Sequence, residues 1–196
     1  VFHDIQGLID LMGGKEKFST HLDSLFTMHL PDKYFENTED ISREGIIGNY
    51  VHGNEPSHHV AYMYNWTNDA YKAQDKIRMI LKEKYQTGND GLSGNDDFGQ
   101  MSAWYLFSSL GFYPVAPGSV DYALGSPAIE EASLHLDNGN TFTVEAKNQS
   151  DKNVYVRKVE LNGVLLKKPF ITHDQVMNGG KLTFYMSSKP NKNLYN

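Results

Sequence analysis

The 196-residue chain contains no cysteine, which excludes disulfide bonds, thiolate catalysis and cysteine-ligated zinc. It has no apolar run near the ~18 residues that a membrane-spanning helix needs, so no membrane span is expected. Lysine and arginine number 18 against 24 acidic residues, and the net charge is −6. Proteins that bind a nucleic-acid backbone usually present a basic face, so no nucleic-acid partner is expected either.

Common nucleotide-binding and hydrolase motifs are absent as well. The sequence has no P-loop, no G-x-G-x-x-G and no G-x-S-x-G, which removes the usual nucleotide and serine-hydrolase interpretations. It begins with Val1 rather than methionine. It also lacks the charged segment followed by an apolar segment that is typical of a signal peptide. We therefore expect the chain to be part of a longer polypeptide.

Apolar residues recur at helical spacing from Asp4 to about Phe112. Long helices are predicted over residues 4–12, 15–28, 69–85 and 97–110, and a short aromatic helix over 56–64. Gly13-Gly14 and Gly111 are expected to end the first and the last of the long helices. The polar segments 31–48 and 87–94 are predicted to be loops.

After Pro114 apolar and polar residues alternate, as they do in strands. Two hairpins are predicted, with strands at 134–136 and 141–145 in the first and at 154–161 and 164–166 in the second. A last strand is expected over 181–186.

A block of helices followed by a block of strands predicts an α+β fold. We place a helical part at residues 1–118 and a β-rich, antiparallel segment at 119–196.

Two loop-to-helix junctions concentrate polar residues. The first spans His52-Gly53-Asn54-Glu55-Pro56-Ser57-His58-His59, and the second spans Gly94-Asn95-Asp96-Asp97-Phe98-Gly99-Gln100. Each places carboxylates at or just before a helix start, where free N–H groups and the positive end of the helix dipole favour the ionised form. The simplest interpretation is helix capping by Glu55, Asp96 or Asp97.

The junctions hold more polar side chains than capping needs, which favours a functional role. Asn95, Asp96 and Asp97 are consecutive, and Gln100 lies one turn after Asp97. Paired carboxylates serve glycosidic cleavage, one as the acid for the leaving oxygen and one as base or nucleophile. Asp, Glu and Asn oxygens together also suit calcium.

The adjacent pair His58-His59 does not predict a zinc site. It lacks the i, i+4 spacing of a zinc-binding helix, and adjacent helical residues point about 100° apart, so only one can face a given pocket. A packing or hydrogen-bonding role for one of them is an equally good interpretation.

Five segments together resemble glycoside hydrolase family 92, and the resemblance covers essentially the whole chain. They are His3–Leu8, Gly53–His59, Tyr62–Trp66, Gly94–Tyr105 and Gly111–Val115. The resemblance implies a calcium-dependent, inverting, exo-acting α-mannosidase, often specific for α-1,2 linkages and mainly bacterial. It also implies an N-terminal β-sandwich joined to an (α/α)6 barrel. This chain would supply the last barrel helices and the strands that follow.

Matched by position, the resemblance implies that the general base lies between Gly94 and Gly99. Asp97 is the candidate, with Asn95 and Asp96 beside it in the catalytic motif. The general acid is expected in an upstream Glu-Gly-Asn-x-Trp-like motif that would end before Val1. The chain alone is therefore not expected to hydrolyse mannosides.

The same resemblance implies a sugar and metal site at the first junction. Glu55 and Asn54 are expected to bind Ca²⁺, and Glu55 also to contact the sugar. Substrate binding is further expected of His58, His59 and Gln100. The implied partners are a mannose-containing oligosaccharide and the remainder of the same polypeptide, and the implied location is the periplasm, the cell surface or the medium.

Two other classes of function stay open. One is a carbohydrate-binding or purely structural segment without catalysis, and the other is a different (α/α)-barrel hydrolase or phosphorylase. Incubation with α-1,2-mannobiose, with and without EDTA, distinguishes them from a calcium-dependent mannosidase.

Overall fold

The computed structural model describes residues 2–29, 31, 33 and 43–195. Its α-helices are α1 (Ile5–Leu11), α2 (Lys15–Thr27), α3 (Ala70–Glu83), α4 (Gln100–Leu110) and α5 (His173–Met177). Among the residues described between α2 and α3, short 3-10 helices occur at Arg43–Gly45, Glu55–Ser57 and Val60–Trp66. Across these described ranges, every helix is too short or too polar to cross a bilayer.

The strands form three sheets. Their bounds are β1 (Ile46–Ile47), β2 (Tyr50–Val51), β3 (Phe112–Tyr113), β4 (Asp121–Leu124), β5 (Glu131–His135), β6 (Thr141–Lys147), β7 (Tyr155–Leu161), β8 (Val164–Leu165), β9 (Phe170–Thr172) and β10 (Gly180–Ser187). β1 and β2 form a hairpin, β3-β4-β9 a three-stranded sheet, and β5-β6-β10-β7-β8 a five-stranded sheet. Helices and sheets in this order confirm the predicted α+β class.

The predicted helices at 4–12, 15–28 and 69–85 are confirmed as α1, α2 and α3. The short aromatic helix proves to be two 3-10 segments rather than one α-helix. α4 begins at Gln100 instead of residue 97, because Asp97, Phe98 and Gly99 all have positive φ and cannot continue a right-handed helix. Gly111 ends α4 in the left-handed conformation, as predicted.

The two predicted hairpins are confirmed as β5–β6 and β7–β8, and the last strand as β10. The expectation of a purely antiparallel segment is wrong, since β6 and β10 pair in parallel. β10 inserts between β6 and β7, which are consecutive in sequence. Local alternation predicts a strand but not such a distant partner, which explains the error.

Part of the loop predicted at 31–48 lies outside the described residues, namely 32 and 34–42. Its described end is more regular than expected. It forms the 3-10 turn Arg43–Gly45 and then β1, which pairs with β2.

Two hydrophobic cores meet at the short strands β3 and β4. Tyr113 and Ala123 pack into the helical core, around buried residues such as Trp104 and Ile77. Phe112 and Leu124 pack into the core of the five-stranded sheet. Because alternate residues of one strand point to opposite faces, these strands join the two halves. A boundary at 118 stays a prediction.

Candidate active site

The two polar junctions touch through glycine. A Cβ on Gly94 would lie 2.6 Å from Gly53 Cα, and one on Gly53 would lie 2.5 Å from Ser93 O. Real Cβ atoms do not approach other atoms so closely, so the two backbones can cross here only because both residues lack a side chain. The crossing brings Asn54-Glu55 and Asn95-Asp96-Asp97, each immediately after a glycine, to the same place.

Glu55 and Asp97 form a carboxyl pair at this crossing. The interaction with the Asp97 carboxyl, together with partial burial, raises the pKa of Glu55 above its usual value. Oε1 of Glu55 is buried and has no hydrogen-bond donor among the described residues. Two carboxyl groups this close must share a proton or a cation, because both cannot be ionised without repulsion.

Asp96 performs the capping role. Its Oδ1 accepts a hydrogen bond from the Ser102 N–H at 2.9 Å, and its carbonyl accepts one from the Met101 N–H at 3.2 Å. The Gln100 N–H donates to the Asp97 carbonyl at 3.2 Å, so the first turn of α4 does not need the Asp97 side chain, which is left for the contact with Glu55. A catalytic role for Asp96 stays a prediction.

His58 and Gln100 connect the two junctions. Gln100 Nε2 donates to His58 Nδ1 at 3.2 Å and to the Tyr113 hydroxyl at 2.9 Å. His58 Nε2 donates to the carbonyl of His52 at 3.0 Å, so the His58 ring is neutral with both nitrogens occupied. Burial lowers the pKa of His58 in agreement with this state. A packing role for one of the two adjacent histidines therefore has direct support.

The sequence did not single out His52, which lies fully buried behind the site. Its Nδ1 bonds the Tyr50 hydroxyl and its Nε2 the Tyr85 hydroxyl, each at 2.8 Å. Tyr85 in turn donates to the Met101 carbonyl in the first turn of α4, at 3.1 Å. Burial, with His58 nearby, lowers the pKa of His52 to about 2, so it stays neutral and ties the first junction to α4. In the sequence, its position directly before Gly53 in the first junction was the feature that could have identified His52 as part of the site.

A cleft of about 640 Å³ is lined by Glu55 of the carboxyl pair, whereas Asp97 lies outside its lining. Its lining includes four predicted site residues, which are Glu55, His58, His59 and Gln100. The remaining wall is mainly apolar and aromatic, with Phe2, Phe107, Tyr113 and the segment Pro114-Val115 among its members. A mostly apolar cleft with a few converging polar groups is the usual form of a small-molecule site.

His59 lies at the edge of the cleft. Its ring meets the Phe2 ring edge-on, with centroids 5.5 Å apart. Burial lowers the pKa of His59 to about 4, so the ring is neutral near pH 7 and offers hydrogen bonds rather than charge. This placement is compatible with the predicted contact to a sugar.

The two asparagines differ in placement. Asn54 is partly buried and precedes the 3-10 turn of Glu55, making no capping hydrogen bond with its side chain. Asn95 is exposed. Their assigned roles, in metal binding and in the catalytic motif, stay predictions.

The oxygen atoms at the crossing of the two junctions would provide part of a calcium site. The buried Oε1 of Glu55, which has no donor, the Asp97 carboxylate beside the Glu55 side chain and the adjacent Asn54 are hard oxygen ligands. Within the ranges that the structure describes, no three His, Asp or Glu side chains come together as a metal cluster. Calcium accepts 6–8 oxygens, so water, sugar hydroxyls or other parts of the polypeptide would complete the set.

A sugar-sized cleft with aromatic walls and carboxylates close to it has the features that a glycoside hydrolase needs, although its general acid would have to come from another segment. Comparison with protein families agrees, since residues 1–188 match the glycosyl hydrolase family 92 catalytic domain. The chain belongs to glycosyl hydrolase family 92, as its motifs indicated.

Solved structures of this family share the fold. A family 92 α-mannosidase from Bacteroides thetaiotaomicron is 46% identical, with a TM-score of 0.88 over 98% of this chain and 25% of its own. The same enzyme in complex with mannoimidazole gives 47% identity and a TM-score of 0.90, over 97% of this chain and 25% of its own. An inverting mannosidase from that bacterium is 37% identical, with a TM-score of 0.83 over 98% of this chain and 27% of its own.

A curated relative extends the comparison to a fungus. An uncharacterized secreted glycosidase from Arthroderma benhamiae is 30% identical over 183 residues, which are 92% of this chain and 21% of that protein. The chain thus spans about a quarter of the solved relatives and a fifth of the fungal one.

Proposed function

We propose that this chain is part of a calcium-dependent, inverting exo-α-mannosidase that removes terminal mannose, α-1,2-linked above all, from mannosides and N-glycans. The observation that carries the proposal is the Glu55–Asp97 carboxyl pair beside the cleft. Membership of family 92 and the likeness to an α-mannosidase seen with mannoimidazole support mannose as the substrate. The likeness to an inverting mannosidase supports inversion.

In the proposed reaction Asp97 is the general base. Its carboxylate takes a proton from a water molecule while that water attacks the anomeric carbon of the terminal mannose. A carboxylic acid elsewhere in the full polypeptide protonates the leaving oxygen as the glycosidic bond breaks. In an inverting enzyme the two groups stand roughly 6.5–9.5 Å apart, which leaves room for the water.

Glu55 has a different task in this proposal. Together with Asn54 it would hold Ca²⁺, which when bound supplies a fixed positive charge to orient vicinal sugar hydroxyls. With the cation in place Glu55 can be ionised, because the positive charge offsets its repulsion with the Asp97 carboxylate. Gln100 and His59, at the cleft wall, are proposed to hydrogen-bond the sugar.

The test uses the full-length protein. Asp97→Asn preserves size and hydrogen-bonding capacity but removes the base, so kcat on α-1,2-mannobiose should fall by about 10²–10⁴-fold. The melting temperature should hardly change, because Asp96 rather than Asp97 caps α4. Near-normal turnover in this variant would remove Asp97 from the mechanism.

Metal removal tests the calcium assignment in the same assay. EDTA should abolish hydrolysis, and excess Ca²⁺ should restore it, whereas Mg²⁺, which prefers a rigid octahedral site, should restore less. Hydrolysis that is insensitive to EDTA would contradict the metal role of Glu55. Export from the cell is also proposed, on the strength of the secreted fungal relative.

A further inference from the structure

Phe98 combines two unfavourable features in the turn that carries the proposed base. Its φ is 58°, a left-handed conformation that bulky side chains rarely adopt. Its side chain is also fully exposed, at 115% of the reference value. Asparagine or glycine would relieve the backbone strain and the exposure of the ring at once, so packing within the described residues does not account for a phenylalanine here.

The surrounding turn holds Phe98 in this conformation. Asp97 before it and Gly99 after it also have positive φ, 42° and 86°. The turn is closed by the bonds from Met101 and Ser102 to Asp96. Strained residues that their surroundings fix in place are concentrated at functional sites.

The position of Phe98 relates it to the substrate. Asp97, directly before it, contacts Glu55, and Gln100, two residues later, lines the cleft. Phe98 therefore lies outside the cleft lining, between a residue that contacts Glu55 of the cleft wall and Gln100 of the wall itself. A ring in full contact with solvent at this position is within reach of molecules that project from the cleft.

We propose that Phe98 is a specificity-determining residue whose ring stacks on the leaving-group sugar, an inference that rests on the proposed exo-mannosidase function. In an exo-acting enzyme the terminal sugar enters the cleft, and the remainder of the substrate stays at the rim. The C–H face of a sugar is apolar and covers an aromatic ring well. One residue step of 3.8 Å plus a phenylalanine side chain can span the roughly 6.5–9.5 Å between the base and the acid that protonates the leaving oxygen.

The experiment compares two substrates on the full-length protein. One is the α-linked mannobiose that the wild type cleaves fastest, and the other is α-mannosyl fluoride, which has no leaving-group sugar. Phe98→Asn should lower kcat/KM for the disaccharide by about five- to tenfold. Most of the loss should appear in KM, because stacking acts on ground state and transition state alike. For Phe98→Asn, kcat/KM on α-mannosyl fluoride should stay within about twofold of the wild-type value. The variant Phe98→Trp should retain activity on the disaccharide, because tryptophan can also stack on a sugar.

Thermal stability distinguishes this role from packing against another part of the polypeptide. Phe98→Asn should leave the melting temperature unchanged or raise it, because asparagine tolerates the left-handed conformation. Val164→Asn is the control, since Val164 is an exposed apolar residue of β8 that lies outside the cleft lining. It should not alter the ratio of the two activities.

Three results would overturn the inference, and they are distinguishable. Equal loss on both substrates would make Phe98 part of the site for the terminal sugar or of the base. A lower melting temperature with an unchanged activity ratio would make it a packing residue. A wild type inactive on both substrates would refute the proposed function and the inference with it.

Discussion

At the scale of single residues, the chemistry depends on how the charge of Glu55 is balanced. The nearby Asp97 carboxyl and partial burial raise the pKa of Glu55, so without a cation the pair holds a proton to a higher pH than an isolated carboxyl would. The folded protein then binds this proton more tightly than the unfolded chain does. Stability must fall as the pH rises from the usual carboxyl range through the raised pKa.

Glu55→Gln in the full-length protein should therefore have a pH-dependent effect. In EDTA the variant should match the wild type in melting temperature at pH 4, where Glu55 is protonated, and exceed it at pH 7, where the wild-type pair carries uncompensated charge. With saturating Ca²⁺ at pH 7 the order should reverse, since a bound cation stabilises the ionised pair. Glu83→Gln, on the exposed end of α3, is the control and should shift the melting temperature equally at both pH values. A Glu55→Gln effect independent of pH and calcium would contradict the paired state.

At the scale of secondary-structure elements, the site exists because two loops cross. Gly53 and Gly94 are in backbone contact, and this contact, rather than either helix, sets the distance between Glu55 and Asp97. The bond from Gln100 to His58 and the bond from Tyr85 to the Met101 carbonyl hold the same two segments together. The crossing is therefore both a packing feature and a positioning device.

Gly94→Ala should damage stability and activity together. The added Cβ would lie 2.6 Å from Gly53 Cα and would force the junctions apart, at a cost of about 1–3 kcal/mol. Calorimetry should show a lower melting temperature, and kcat should fall at least tenfold, since an angstrom-scale displacement of reacting groups can reduce turnover by about that factor or more. Gly88→Ala, in the preceding loop, is the control: its Cβ meets nothing within 4 Å, and only its positive φ is unfavourable. Gly88→Ala should lower stability modestly and leave kcat unchanged. If kcat were equal in the two variants, the crossing would not position the reacting groups.

This crossing also marks how far the sequence could predict the site. The sequence shows two similar polar motifs around Glu55 and Asp97, and these predicted which residue types form the site. The amphipathic periodicity of α1 to α3 was sufficient to predict those helices. The contact between Gly53 and Gly94 joins residues 41 positions apart, and nothing in either motif alone requires it. For the same reason the start of α4 and the parallel pairing of β10 were mispredicted, because each depends on contacts or φ values that local propensity does not encode.

At the scale of the whole molecule, the exposed apolar residues indicate surfaces that further polypeptide would cover. Leu11 on α1 is 88% exposed and Leu106 on α4 is 61% exposed, although both helices bury their opposite faces in the helical core. The chain spans about a quarter of the solved relatives, so most of the catalytic region of such a protein lies outside it. We expect the remainder of the polypeptide to pack on these two positions.

The chain alone should consequently self-associate, with sedimentation velocity showing dimers or larger species that the double variant Leu11→Lys, Leu106→Lys reduces. In the full-length protein the same double variant should instead lower the melting temperature, because each buried leucine contributes about 1.5–3 kcal/mol and a lysine in its place would be desolvated. Val164→Lys, at the exposed β7–β8 turn, is the control and should change neither measurement. A chain that stays monomeric, or a full-length double variant as stable as the wild type, would mean that these leucines face solvent in the intact protein. The segment that carries the general acid would then have to approach Asp97 over a surface other than the exposed faces of α1 and α4.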